Sequence, residues 1–559
     1  LHAVMAGRLV GLAVALGISG PIVAGLGFTL LAGFGWMPAI GRTGLGTAPW
    51  AAAFAAPGFA TGLRLTLWTG LGATALSLGL ALALAQGLAH DGGRRMRLIA
   101  PLLAVPHAAL AIGLAFLIAP SGWIVRLISP WATGWTTPPA FATTGDPAGL
   151  ALILGLALKE VPFLMLITLA ALSRVPVAAH MAAGRALGHS PASVWVRVIV
   201  PQLYPLIRLP VYVVLAFSLS VVDMALILGP SNPPTLSVWI LRGYMAPDPA
   251  MALPASAAAV VQLGIVACGI GLWHLAERAL ARIGRAELRR GRRGGVLPQG
   301  AVRLAGALGA GLAGGSLLVL MLWSLAWRWP FPAALPETWS LRHWTGRGWG
   351  AATLETLWIG AAAVALGALL AIAWLEAEDR AGRRLPLAAL VAAPLLIPQI
   401  GFLQGLNIAF LHLGLPPGRG TVIWAHLIFV FPYMLLALSG PWRALEPGLI
   451  RSAAALGAGP WRRLLAVKLP VLLRPILTAA AIGFSVSVAQ YVPTLFMGAG
   501  RIATLTTEAV ALSSSADRRV VGVYAVLQAI LPLAAFMLAI AVPGALHRNR
   551  RALAGELTR

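Results

Sequence analysis

Charged residues are scarce in this chain, and acidic residues are the scarcest. Of 559 residues only 10% are charged, and 16 are Asp or Glu against 41 Lys or Arg. A soluble domain carries about 25% charged residues. The charges lie in short stretches between long apolar runs, which is typical of a polytopic helical membrane protein. We therefore predict an all-α fold of membrane-spanning helices.

Several kinds of chemistry are also missing. Cys268 is the only cysteine, so a disulfide framework and a cysteine-based metal site are excluded. The sequence has no G-x-x-x-x-G-K-[ST] motif, so it does not hold ATP by the usual phosphate-binding loop. It also has no Ser/His/Asp set and no carboxylates paired at a defined spacing, so we predict no catalytic residues. We interpret the single histidines His107, His274 and His426 as packing or interface residues rather than metal ligands.

Apolar runs dominate what is present. Each of twelve runs is long enough to cross a hydrocarbon core of roughly 30 Å. The predicted spans are 10–33, 65–88, 98–119, 148–172, 209–229, 255–276, 304–326, 353–375, 386–410, 421–441, 475–497 and 520–543.

Lys and Arg are divided unequally between the two sides of these spans. The segments on the side of the N-terminus hold 29 of them and the opposite side holds 11, while Lys159 lies inside a span. Basic residues gather in cytoplasmic loops, so both termini are predicted to be cytoplasmic. The net charge of +25 has the same cause, and we predict contact with membrane lipid and none with nucleic acid.

Short motifs recur in the same order in the two parts of the chain. The order indicates a tandem duplication into parallel repeats of six spans, and the first repeat has a longer external loop at about 120–147. We predict a first repeat at 1–277, a basic cytoplasmic linker at 278–303 and a second repeat at 304–559. The matches are "TLWTG" (66–70) with "TLWIG" (356–360), Pro106 and Gly113 with Pro398 and Gly405, and "FSLSV" (217–221) with "FSVSV" (484–488).

A polar loop follows the fourth span of each repeat. The loops are "GRALGHSPASVWVRVIVP" (184–201) and "SAAALGAGPWRRLLAVKLP" (452–470). Each predicts a short helix, a glycine turn and a second helix, and the second helix of the first loop is predicted to end at Pro201. In both loops a glycine is followed thirteen residues later by a proline. The matched residues are Gly188, Pro191 and Pro201 in the first loop and Gly457, Pro460 and Pro470 in the second.

These paired loops resemble the EAA coupling loop in permease subunits of binding-protein-dependent ABC importers. The resemblance is strongest to the fused double permeases of the ferric iron and thiamine type. It implies a type I importer fold, a cytoplasmic ATPase dimer docked on the two loops, and a periplasmic or extracellular substrate-binding protein. The family's loop begins with a Glu six residues before the glycine, where this chain has Ala182 and Arg451, so a charged contact of that loop is missing.

The expected function is a transport subunit of an ATP-driven importer in the bacterial inner membrane. The chain would form the translocation path, while ATP would be hydrolysed on a separate subunit and no cofactor would bind this chain. The alternatives are a twelve-span secondary transporter driven by an ion gradient, and a membrane scaffold without transport. The sequence leaves the substrate open between ferric iron, thiamine and another small solute.

Four polar residues fall inside predicted spans. A charge in a span is costly unless it is paired or faces a cavity. Asp223 and Gln490 occupy equivalent places in the two repeats, so they would face each other across the axis and line a translocation path. The alternative is a polar tie, that is, a buried polar contact that joins helices of one half. Lys159 and Glu160, just before Pro162, are weaker candidates for the same path.

Overall fold

The computed structural model describes residues 9–88, 104–290, 299–346, 348–382, 384, 388–515 and 517–546. Almost all of these residues are helical. The first half contains α1 (Leu9–Gly33), α2 (Ala48–Ala55), α3 (Phe59–Leu88), α4 (His107–Ile118), α5 (Trp123–Ile128), α6 (Leu150–Leu172), α7 (Val177–Ala186), α8 (Pro191–Ser218), α9 (Asp223–Leu228), α10 (Leu236–Tyr244) and α11 (Ala252–Arg289).

The second half repeats this order. It contains α12 (Gln299–Leu325), α13 (Gly348–Ala381), α14 (Ala388–Leu396), α15 (Gln399–His412), α16 (Arg419–Arg443), α17 (Pro447–Ala455), α18 (Pro460–Val471), α19 (Leu473–Val488), α20 (Val492–Gly498), α21 (Leu505–Leu512) and α22 (Arg518–Leu546). After α12 a two-stranded antiparallel ribbon pairs β1 (Ala326–Arg328) with β2 (Thr338–Trp339).

The all-α polytopic fold is confirmed, with a difference in the number of spans. Ten helices in the described residues are long and apolar enough to cross a membrane, or eleven if α18 and α19, bent by 74°, form one span. The predicted span 386–410 is instead divided, because α14 stops before Pro398 and α15 starts after it. Proline disfavours helical backbone in the residue before it, which explains the break. The start of the predicted span 98–119 lies outside the described residues.

The threonine of the "TLW" motif forms the same contact in each half, between α3 and α10 in the first and between α13 and α21 in the second. The hydroxyls of Thr66 and Thr356 accept hydrogen bonds from the backbone N–H groups of Leu236 and Leu505, each at 2.9 Å. These two leucines are the first residues of α10 and α21. Each threonine therefore satisfies an N–H group that has no partner inside its own helix.

The first helix of each half packs on the other half. Helix α1 lies along α15, and α12 lies along α4. The matched glycines Gly113 and Gly405 sit at these crossings. A Cβ atom on Gly113 would collide with the backbone of Ser316, and one on Gly405 would collide with the backbone of Gly25. Only glycine allows such close approach of two helices, so the repeated glycines are explained by the exchange of helices between halves.

The prediction that a helix ends at Pro201 is wrong. Helix α8 runs through Pro201 to Ser218, and a five-residue π-helical segment, Trp195–Ile199, precedes the proline. Another such segment, Leu464–Lys468, precedes Pro470, and α18 ends one residue after that proline. Proline has no N–H to donate and crowds the preceding turn. A π turn shifts the hydrogen-bond register locally, so the helix can continue past the proline.

The first half has the longer connection between its third and fourth predicted spans that the sequence indicated. Residues 119–149 join α4 to α6, whereas residues 413–418 join the equivalent helices of the second half. Arg126 on α5 donates to the carbonyls of Ser121, at 3.0 Å, and of Pro330, at 2.8 Å. Arg518 donates to the Ser121 hydroxyl at 2.7 Å. Two arginines thus join this connection to the second half.

Candidate functional sites: two exposed loops and two broken helices

The first loop, residues 184–201, turns sharply between α7 and α8. Gly188 has a φ of +79°, in the left-handed region. Its N–H donates to the carbonyl of Arg185 and the N–H of His189 donates to the carbonyl of Gly184, both at 2.9 Å. This pair of bonds is a Schellman motif, which ends a helix at a residue in the left-handed conformation.

The second loop, residues 452–470, makes the same turn. Gly457 has a φ of +81°. Its N–H donates to the carbonyl of Ala454 and the N–H of Ala458 donates to that of Ala453, both at 3.0 Å. Pro191 and Pro460 each begin the following helix at its first position, where a missing N–H costs nothing. The two loops therefore share one backbone shape.

Large apolar side chains are exposed at both turns. Leu187, just before Gly188, is 66% exposed, and Leu456, just before Gly457, is 87% exposed. Trp461 on α18 is also 66% exposed. Ala182 and Arg451, at the place of the family's Glu, are exposed as well. Apolar side chains presented together on a surface are typical of a protein–protein contact.

The fifth predicted span is broken in each half, where the sequence predicted continuous spans at 209–229 and 475–497. In the first half α8 ends at Ser218 and α9 begins at Asp223. In the second half α19 ends at Val488 and α20 begins at Val492. Asp223 and Gln490 lie at these breaks rather than in the middle of a helix.

Two buried glutamines support the breaks, and the sequence interpretation missed them. The amide of Gln262 on α11 donates to the carbonyl of Leu219 in the first break. The amide of Gln528 on α22 donates to the hydroxyl of Thr506 at 2.6 Å, and Thr506 donates to the carbonyl of Val488. A glutamine in each last span, at matching positions, was the signal that could have revealed them. Carbonyls freed by a broken helix need such partners inside a membrane.

Gln490 belongs to a closed polar network in the second half. Its amide donates to the carbonyl of His426 at 3.1 Å. The imidazole Nδ1 of His426 lies 2.8 Å from the hydroxyl of Ser487, and Nε2 lies 2.9 Å from that of Thr494. The hydroxyl of Thr494 donates in turn to the carbonyl of Gln490 at 2.7 Å. This geometry matches the polar tie rather than an open path.

Asp223 lies in a different environment, near the other ionisable residues of the first half. The imidazole of His107 is 3.4 Å from the Glu160 carboxylate, and Lys159 donates to the carbonyl of Val105 at 2.5 Å. Asp223 interacts electrostatically with His107 of its own half and with Tyr491 of the other half. Helix α9, which begins at Asp223, contacts α4, which begins at His107, and α21 of the other half, so Asp223 lies at the boundary between the halves.

Among the described residues, no group of three or more His, Cys, Asp or Glu side chains is arranged to hold a metal ion. His107 faces Glu160, His274 lies 3.1 Å from the Tyr212 hydroxyl, and His426 belongs to the network of Gln490.

The fold and the paired loops define a polytopic transport subunit built from two homologous halves. The chain is 32% identical over 499 residues to the inner membrane ABC transporter permease protein YnjC of Escherichia coli (strain K12), covering 88% of this chain and 89% of that protein. It is 29% identical over 140 residues to the molybdenum transport system permease protein ModB of Azotobacter vinelandii, covering 23% of this chain and 62% of that protein. No protein-family model matches the chain. The chain belongs to the ABC transporter permeases, a family of multi-pass inner-membrane transport subunits.

Proposed function

We propose that this chain is the permease subunit of an ATP-driven importer, with both halves in one polypeptide. Residues 184–201 form the first coupling loop and residues 452–470 form the second. Both loops would dock on a cytoplasmic ATPase dimer, which binds and hydrolyses the ATP. The observation that carries this proposal is the repeated Schellman turn, exposed with an apolar side chain in each half. An ion-driven transporter has no need for two matched loops of this kind.

The translocation path would run between the halves, near the break that contains Asp223. Supporting this, Asp223 is close to groups of both halves, and broken helices in transporters often line the substrate site. Glu160 and Lys159 would lie beside this path. Gln490 would instead stabilise the break in the second half, on the opposite side of this path.

An external substrate-binding protein would deliver the solute. The excess of Lys and Arg on their side supports a cytoplasmic location for the two coupling loops and both termini, and the binding protein would dock on the other side. The substrate remains open between ferric iron, thiamine and another small solute. Mass spectrometry of the solute retained by the purified binding protein would identify it.

The coupling role is tested by replacing one glycine whose backbone is left-handed. Gly457→Glu forces a side chain into a conformation that costs about 1 kcal/mol or more for a non-glycine residue. We expect normal membrane levels and a loss of ATPase co-purification of about tenfold, since 1.4 kcal/mol corresponds to a factor of ten.

Gly459→Glu is the matched control, because this glycine has a φ of −64° and its Cβ direction is open, as it is at Gly457. The control variant should bind the ATPase normally. Equal binding of the ATPase by both variants and the wild type would contradict the coupling role.

The orientation is tested by labelling single cysteines in a Cys268→Ala background. Leu187→Cys and Leu456→Cys, in the two coupling loops, should react with an impermeant thiol reagent only in inside-out vesicles. Ala132→Cys and Leu341→Cys, which are exposed on the opposite side, should react in intact cells. Labelling of either coupling loop from outside would overturn the orientation.

A further inference from the structure

The two coupling loops are held to the membrane-spanning helices by different chemistry. We propose that Lys468 is a positioning residue that fixes the second coupling loop to α13 through an ion cluster, whereas the first coupling loop contacts the equivalent helix, α3, through apolar packing. This inference rests on the proposed docking of the ATPase. It assigns a role to charged residues that the loop motif itself does not contain.

Lys468 lies in the π-helical segment of the second coupling loop and points into the protein. Its side chain is only 7% exposed, and its ammonium is 2.6 Å from a carboxylate oxygen of Glu376 and 2.6 Å from one of Asp379. Both acids lie on α13. Hydrogen bonds between charged groups are short and strong, so the position of Lys468 relative to α13 is well defined.

Further pairs surround this contact. Arg380 is 2.8 Å from Glu376, and Arg443 is 2.9 Å from Glu378. The indole N–H of Trp442 donates to Asp379 at 2.9 Å. Three acids and three bases thus balance one another in the cluster, so no net charge is buried there.

The cluster also reaches the exposed surface of the loop. The guanidinium of Arg380, which pairs with Glu376, lies 4.7 Å from the centre of the Trp461 ring. Trp461 is one of the exposed apolar residues of the second coupling loop. A cation above an indole ring is attracted to it, so the orientation of the exposed ring depends on the same ion pairs.

The first half has no such cluster at the equivalent positions. Ile199 corresponds to Lys468, by the spacing that relates Pro201 to Pro470, and it is fully buried. Gln86 and Ala89 correspond to Glu376 and Asp379, by the spacing of the "TLW" motifs.

Trp195 fixes the first coupling loop instead. Its ring packs in an apolar cluster with Ala81 and Ala85 of α3, and its indole N–H donates to the carbonyl of Leu82 at 3.1 Å. The contact of each coupling loop with the equivalent helix, α13 or α3, is therefore ionic in one half and apolar in the other, while Arg197 of the first coupling loop pairs with Glu287 of α11 at 3.6 Å.

The difference has a mechanical consequence. Loss of Lys468 would remove the ammonium that joins the loop to both acids and would leave one excess negative charge on α13, although Glu376 keeps Arg380. Removing one partner of such a set is destabilising, whereas replacing the set by apolar or neutral residues is often tolerated. Loss of Lys468 should therefore release the second coupling loop from α13. Converting the site to the residues of the first half should hold the loop again.

The test uses distances between spin labels at Leu187→Cys and Leu456→Cys in the Cys268→Ala protein, reconstituted in nanodiscs. We expect a narrow distance distribution in the parent protein and a broad one in Lys468→Ile. Lys468→Arg should stay narrow. The triple variant Lys468→Ile/Glu376→Gln/Asp379→Ala, which copies the first half, should be narrow again.

Arg474→Ile is the matched control, since Arg474 lies on the next helix, is exposed, and forms no ion pair among the described residues. Co-purification of the ATPase from native membranes is measured on the same variants. It should fall about tenfold in Lys468→Ile, through loss of a buried partner, and recover in the triple variant.

A narrow distribution in Lys468→Ile would overturn the inference. So would a triple variant as broad as the single one, because stranded acids would then not be the cause. A broad distribution with unchanged ATPase binding would support the positioning role of Lys468 and overturn the docking of the ATPase on this loop. The two failures are thereby distinguished.

Discussion

The two breaks in the fifth helices occupy equivalent places and have opposite chemistry. The second break is held by an uncharged network in which the imidazole of His426 bonds Ser487 and Thr494, and the amide of Gln490 bonds the backbone carbonyl of His426. The first break contains Asp223, which begins α9 and forms no hydrogen bond with another side chain among the described residues. One break is therefore held by neutral hydrogen bonds, whereas the equivalent break contains an ionisable group.

This difference indicates that the two equivalent helix breaks have different roles, a structural role in the second half and a role in transport in the first. A broken helix in a membrane must satisfy its free backbone groups, and both halves do so with a glutamine from the last helix. Only the second half adds the histidine, because position 156 of the first half is an apolar Leu. Substitutions at the two breaks test this difference in role, taken from the largest expected loss of stability to the smallest.

The largest loss is expected for His426→Leu, which places the residue of the first half in the second. It leaves the hydroxyls of Ser487 and Thr494 without the imidazole, and we expect the free energy of unfolding to fall by about 3 kcal/mol. Thermal unfolding in detergent measures it. Leu156→Met, a volume-conserving change at the equivalent position, should cost less than about 1.5 kcal/mol. Equal losses of unfolding free energy in His426→Leu and Leu156→Met would contradict a structural role that is specific to the second half.

A smaller loss is expected for Gln490→Leu. This variant gives up one hydrogen bond, from the amide to the carbonyl of His426, so the free energy of unfolding should fall by about 1 kcal/mol. Uptake should decrease only in proportion to the amount of folded protein in the membrane. Abolished uptake at a normal protein level would instead place Gln490 in the path.

The smallest loss of stability is expected for Asp223→Leu, together with the largest loss of transport. No side chain among the described residues forms a hydrogen bond with Asp223, so the cost should be the attraction between a carboxylate and the first turn of its helix, about 0.5 kcal/mol. Uptake of the solute carried by the binding protein should fall at least about tenfold, a change that 1.4 kcal/mol on the transport barrier would produce. Asp223→Asn, which keeps the shape, should be impaired as well if the charge is needed.

Protein level and uptake are measured together for Asp223→Leu. A low level with proportionally low uptake would reject the path and favour a structural tie. A normal level with normal uptake would reject both roles.

Much of the architecture follows from the sequence, because apolar runs predict the membrane-spanning helices and repeated motifs mark equivalent contacts in the two halves. The duplicated Thr, Gly and Pro residues marked real contacts, as Thr66 and Gly113 show. The breaks at residues 219–222 and 489–491 did not follow, since Ser220, Gln490 and Tyr491 interrupt the apolar runs too briefly, and hydropathy cannot distinguish a straight helix from a broken one.

The site was only partly predictable for a related reason. Asp223 and Gln490 were found as polar residues at matching positions, but their different environments depend on His426 and His107, which are distant in the sequence. Gln262 and Gln528 carried the same kind of signal. The partners of Lys468 lie about 90 residues earlier in the chain, and sequence spacing alone gives no indication of that contact.

The exchange of first helices between halves has a consequence for synthesis in the cell. Helix α1 ends at Gly33, and its partner α15 begins at Gln399. At roughly 5–20 residues per second, the ribosome needs about 20 to 70 seconds to produce that partner. During this interval Gly25 and its neighbours face lipid or an insertion chaperone, and the nascent chain cannot close its first half. The first half can therefore complete its folding only after α15 of the second half has been synthesised.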